Sequence, residues 1–140
     1  MSEILKRLEE INEKMTEQVV IDPAMFAQLV DSLPDGLLVI NEAGIIQLCN
    51  AQIELLFGWP RASLIGQPVH MLLPESLREK HAQHIQRYFE NPSVRPMHLA
   101  QTLAGKHRSG RTINVQIILG PVVSTSGVLA LAVVRRVVLT

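Results

Sequence analysis

The chain opens on an amphipathic repeat. From residue 2 to about 19, Met1, Leu8 and Met15 share one heptad position and Ile4 and Ile11 the other, separated mostly by Glu, Lys, Arg, Asn and Thr. This spacing predicts a helix with a narrow apolar seam, the kind that pairs helices. The seam is short, and Gln18 interrupts it, so a single amphipathic helix lying on its own domain stays open as the alternative. A second helix is predicted from Asp22-Pro23, where the carboxylate caps free N–H groups and proline suits the first helical position. It ends near Ser32, ahead of the turn residues Pro34-Asp35-Gly36.

The middle of the chain alternates short apolar strands with helical stripes. Leu37 to Asn41 and Ile45 to Cys49 flank Glu42-Ala43-Gly44 and read as a hairpin. Asn50 is placed to cap a helix through Phe57, which Gly58 and Pro60 stop. Residues 61–73 carry Gly66 and Pro68 and predict short helical turns. From Pro74-Glu75-Ser76 to about Asn91, Leu77, His81, Ile85 and Tyr88 fall on one helical face, with His84 beside them.

The last third is predicted as β. Met97, Leu99, Gln101 and Leu103 alternate with His98, Ala100, Thr102 and Ala104; Ile113, Val115, Ile117 and Leu119 alternate likewise. An apolar run from Val128 to Val134 follows, and the turns fall at Ser109-Gly110 and Ser124 to Gly127. Three strands joined by short turns make an antiparallel meander. The prediction is therefore α+β: a five-stranded antiparallel sheet with helices on one face and an N-terminal amphipathic helix. The domains are a helix over 1–21 and an α+β domain over 22–140.

Composition narrows the function classes. The 140 residues carry 13 basic and 13 acidic side chains, so nothing marks a nucleic-acid or membrane-surface footprint. The one cysteine, Cys49, leaves no internal disulfide and reads as a buried thiol. With no apolar run of about 18 residues and no signal-peptide pattern, a cytoplasmic location is expected. No nucleophile elbow, phosphate loop or paired-carboxylate signature is present, so no catalytic residue is assigned and the chain is expected not to be an enzyme.

In order, Leu33 to Asn41, Cys49-Asn50-Ala51, Leu56-Phe57-Gly58-Trp59, Leu64-Ile65-Gly66, Leu72-Leu73-Pro74-Glu75 and Arg108-Ser109-Gly110-Arg111 resemble the PAS domains of bacterial sensor kinases and cyclases. The resemblance covers roughly residues 25–137. It implies the PAS fold and a sensory, signal-transducing module of a two-component type, which binds a small molecule or a partner and signals as a homodimer. The chain would then be the sensor part of a larger kinase or cyclase. Ile4, Leu8, Ile11 and Met15 are the expected dimer seam. Where many PAS domains carry Asp-Ile-Thr, this chain has Arg135-Arg136-Val137-Val138, which shifts the expected signal path toward the N-terminal helix.

His81 is the candidate recognition group, because it lies on an apolar stripe between Leu77 and Ile85. The expected pocket lies between the helical middle and the sheet, lined by His81, Ile85, Tyr88, Leu99, Gln101, Ile117 and Leu119. Gln101 interrupts an apolar strand face; a buried amide costs about 1–3 kcal/mol unless it finds a partner. The closest pattern is that of the PAS domains of rhizobial oxygen-sensor kinases, in which a histidine at this point of this helix holds haem iron. The resemblance implies haem b as a cofactor, His81 as its ligand, Arg87 near the propionates, and Gln101 where those proteins carry an arginine. Against this stands a core-edge histidine bonded to a backbone carbonyl, in a ligand-free interaction or dimerisation domain. No metal site is expected from the His81/His84 pair, and His70, His98 and His107 are expected to face solvent.

Overall fold

A computed structural model describes residues 3–18, 22–93 and 102–138. The chain divides into two compact units, 1–30 and 31–140. In the first, α1 spans Glu3–Gln18 and leaves Ile4, Leu5, Leu8 and Ile11 exposed. The side chain of Met15, expected in the same seam, is outside the described residues. The helix α2 spans Pro23–Asp31. As the sequence predicts, Asp22 caps it: Oδ1 accepts the Met25 N–H at 2.8 Å.

The second unit holds a five-stranded antiparallel sheet. Its strands are β1 (Gly36–Ile40), β2 (Ile46–Cys49), β3 (Leu103–Lys106), β4 (Thr112–Ser124) and β5 (Gly127–Arg136). Their spatial order is β2-β1-β5-β4-β3. The edge strands are thus β2 and β3, which are neighbours along the chain. The chain between them must therefore connect opposite edges of the sheet. Its described residues supply α3 (Ala51–Phe57), α4 (Arg61–Leu64), a 3-10 turn (Val69–Leu72) and α5 (Glu75–Glu90). Among the described residues no helix is long and apolar enough to cross a membrane.

Local chemistry fixes the junctions. In the β1–β2 turn, Asn41 Oδ1 accepts the N–H groups of Ala43 and Ile45, both at 3.0 Å. Ile45 therefore leaves the β1–β2 ladder and bridges Pro68 instead, so the second strand starts one residue later than the sequence suggested. Asn50 is fully buried, and its Oδ1 accepts from Ile53 N (3.3 Å) at the start of α3 and from Leu37 N (2.9 Å) in β1. Its amide Nδ2 donates to Asp35 O at 3.1 Å. Gly58 ends α3 at φ +78°, a left-handed conformation that glycine adopts without steric cost. The space its missing Cβ leaves is taken by the His107 imidazole. Arg61 ties the helical segment together, bonding Asp31 Oδ1 at 2.9 Å and Glu54 Oε1 at 3.0 Å.

Two expectations are met only in part. Leu77 is 37% exposed, although it shares the α5 stripe. It sits in the first turn of α5, and the buried residues of that helix, Ile85 and Tyr88, lie two to three turns further on. His70 and His107 are half-buried rather than fully exposed, one beside His81 and the other over Gly58. The expected strand residues Met97, Leu99 and Gln101 lie outside the described residues, as does His98.

Candidate functional site: an apolar cavity between helices and sheet

The inner face of the central strand β5 reads Ala130, Ala132, Val134. Register places Ala132 between Leu38 of β1 and Leu119 of β4. Two alanines in mid-sheet leave the overlying helices without side chains to meet. The result is a cavity of about 470 Å³. Leu38 and Ile40 of β1, Val115, Ile117 and Leu119 of β4, and Leu103 to Gly105 of β3 form its sheet side. Phe57, Val69, Leu72, Leu73 and the α5 residues His81, His84, Ile85, Tyr88 and Phe89 form its helical side. A cavity of this size with apolar walls and few polar groups has the character of a small-molecule site.

Of the candidate pocket residues, the structure brings together His81, Ile85, Tyr88, Ile117 and Leu119. Leu99 and Gln101 are outside the described residues. Arg87 is exposed on α5 and is not part of the wall. Among the wall residues that sequence reasoning missed are the small ones, Ala130, Ala132 and Gly105. Their signal was present as Ala130-Leu131-Ala132, which puts the small members of an alternating strand on one face. At Gly105 an added Cβ would come within 3.0 Å of the Phe57 ring, so glycine there lets α3 approach the sheet.

The polar groups in the wall are concentrated at α5. Tyr88 turns its hydroxyl away to donate to Ser93 O at 3.1 Å. His81 does not spend its nitrogens in this way: Nδ1 is buried and has no hydrogen-bond partner. Nε2 of His70, in the 3-10 turn, is in the same condition. The two rings meet edge to face with centroids 5.4 Å apart. Burial, with the nearby His70 and His84 adding to it, pushes the His81 pKa from 6.5 down to about 4. The ring is therefore neutral at physiological pH and keeps a lone pair. A buried polar atom left unpaired costs about 1–3 kcal/mol, so a group that engages it has that much to recover. Among the described residues no set of three or more His, Cys, Asp or Glu side chains is gathered to hold a metal ion.

The family model for the PAS fold matches residues 24–137. The chain belongs to the PAS family. Over 92 residues it is 35% identical to the sensor protein FixL of Bradyrhizobium diazoefficiens, covering 66% of this chain and 18% of that one. It is 27% identical over 122 residues to the oxygen sensor protein DosP of Escherichia coli, covering 87% of this chain and 15% of the relative. This PAS domain thus spans less than a fifth of the length of either protein. Among solved structures, a PAS domain from Colwellia psychrerythraea superposes with a TM-score of 0.68 at 23% identity, covering 81% of this chain and 95% of the other. The five-stranded sheet with its crossing helices is the fold they share.

Proposed function

We propose that this PAS domain is the sensory module of a signalling protein and that it binds an apolar small molecule in the cavity walled by α5 and the sheet. The observation that carries the reading is the 470 Å³ space floored by Ala130 and Ala132. A core that needed only to be stable would fill it, because empty apolar volume costs stability in proportion to its size. Occupancy becomes a signal only if the ligand binds two states of the domain unequally. The α1 seam of Ile4, Leu8, Ile11 and Met15 is the proposed route, as a helix pair in a homodimer. Sedimentation of the chain with and without residues 1–20 tests this route: equal dimerisation removes α1 from the interface.

A second reading, haem, is favoured by one specific feature. His81 supplies a neutral imidazole in an otherwise apolar wall, and such an imidazole is a good iron ligand. The likeness to the oxygen sensor protein DosP supports it. The residues fit the group in chemistry: His81 would hold the iron, the aliphatic sheet face would exclude water, and Arg87, exposed on α5, would be a candidate for a propionate. Haem would supply an iron centre able to bind a diatomic gas.

One experiment separates these readings. The protein is purified from cells supplied with a haem precursor, and its visible spectrum and native mass are recorded. A Soret band lost in His81→Ala supports the haem reading. A bound mass without a Soret band supports another apolar ligand. A bare chain with no bound mass, whose melting temperature also does not move with added haemin, overturns the sensory-pocket reading in favour of an interaction domain with no ligand.

A further inference from the structure

Two buried nitrogens without partners lie on histidines whose rings touch, and a single hydrogen bond between them would satisfy both. A neutral imidazole carries one N–H donor and one lone pair. The bare atoms are Nδ1 of His81 and Nε2 of His70, on rings whose centroids stand 5.4 Å apart at an interplanar angle of 79°. His70 is carried by the 3-10 turn Val69–Leu72 and His81 by α5, so the pair bridges two elements that wall the cavity. The ring torsion of histidine is soft. A turn of either ring about this torsion is the motion that would bring the two nitrogens into an N–H···N bond.

The geometry points to His70 as a positioning residue for the cavity. Nε2 of His70 accepts the Nδ1–H of His81, which fixes the tautomer and ring plane of His81 and leaves the His81 Nε2 lone pair for the occupant of the cavity. In free histidine the proton favours Nε2, the tautomer that would offer no lone pair there. Which nitrogen of an imidazole carries the proton is set by the bond the other makes. Partners of this kind fix the orientation of metal-binding histidines, and losing one typically lowers affinity by 10–100-fold. His70 touches no ligand in this scheme and acts through His81. The inference rests on the reading of His81 as the recognition group of the cavity, whether the occupant is a haem iron or a hydrogen-bond donor.

Long-range proton–nitrogen NMR of the histidine rings at pH 8 tests the inference on the intact, ligand-free chain. The expected result is His81 in the Nδ1–H tautomer and His70 with Nε2 unprotonated. In His70→Phe, His81 reverts to the Nε2–H form, whereas His70→Gln, which keeps a side-chain acceptor, retains Nδ1–H. Haemin affinity falls at least 10-fold in the phenylalanine variant and is largely restored in the glutamine variant. Finding His81 as Nε2–H in the wild type overturns the proposal, and so does a tautomer that ignores His70→Phe. If His70→Phe does not fold, the wild-type tautomer and the glutamine variant still decide the question. Failure of the underlying reading looks different: the tautomer pair is present, but His81→Ala binds haemin as tightly as the wild type.

Discussion

Asn50→Ala will destabilise the domain by about 3 kcal/mol, measured as the shift in free energy of unfolding by urea at pH 7. The side chain is fully buried. Its Oδ1 caps α3 through Ile53 N and holds the start of β1 through Leu37 N, and its Nδ2 holds Asp35 O. Losing an N-cap alone costs about 1 kcal/mol. The further cost comes from the groups left behind, because Leu37 N is a buried donor that alanine cannot satisfy and water cannot easily reach. Asn50→Asp keeps the acceptor and loses the donor to Asp35, so it should fall between wild type and alanine. A loss below about 1 kcal/mol in Asn50→Ala would show that water or backbone movement replaces these bonds, and that the junction between β1 and α3 is held by packing.

The same residue marks how far the sequence could be read. Asn50 ahead of an apolar helical stripe is a local signal, and the helix it caps starts where the pattern puts it. Its bonds to Leu37 and Asp35 join positions 13 and 15 residues away, and no local pattern carries that information. The same division holds at Gly58: its role as a helix stop was legible, whereas the imidazole of His107 over it was not. In the sheet, the β3–β4–β5 meander follows from alternation and turns. The pairing of β1 with β5 joins residues about 100 positions apart, and only the ordered resemblance to PAS domains implied it.

The candidate site divides in a similar way. His81, Ile85 and Tyr88 were legible because one helical stripe places them together. Leu77 shares that stripe yet is 37% exposed, because periodicity reports a face and not where along the helix its partner begins. His70 was missed because its partner is on another element and its own neighbours, Val69 and Met71, give no helical or strand period to orient it. The cavity itself was legible only as an expectation about position. Its volume comes from what is absent at Ala130 and Ala132, and a pattern of apolar residues scores alanine and leucine alike.

That absence leads to the second large effect. Ala132→Leu will abolish binding of an apolar ligand in the cavity while leaving the ligand-free domain as stable as the wild type or more so. Ala132 is 8% exposed and lines the cavity from the central strand, so a leucine there projects into empty space rather than into a packed neighbour. Burying three more carbons is worth about 2 kcal/mol if they fit without strain, and imperfect fit reduces the gain. Haemin, used as the probe, should bind at least 100-fold more weakly, because its space is taken. The two readouts test different things. A loss of stability greater than about 1 kcal/mol would mean that the inner face of β5 is already closely packed and the cavity is not free volume. Retained stability with unchanged haemin affinity would place the haemin elsewhere on the molecule. Raised stability with lost binding would tie the alanines of β5 to occupancy, and it would mean that this strand forgoes stability that a larger side chain could supply in order to keep the space open.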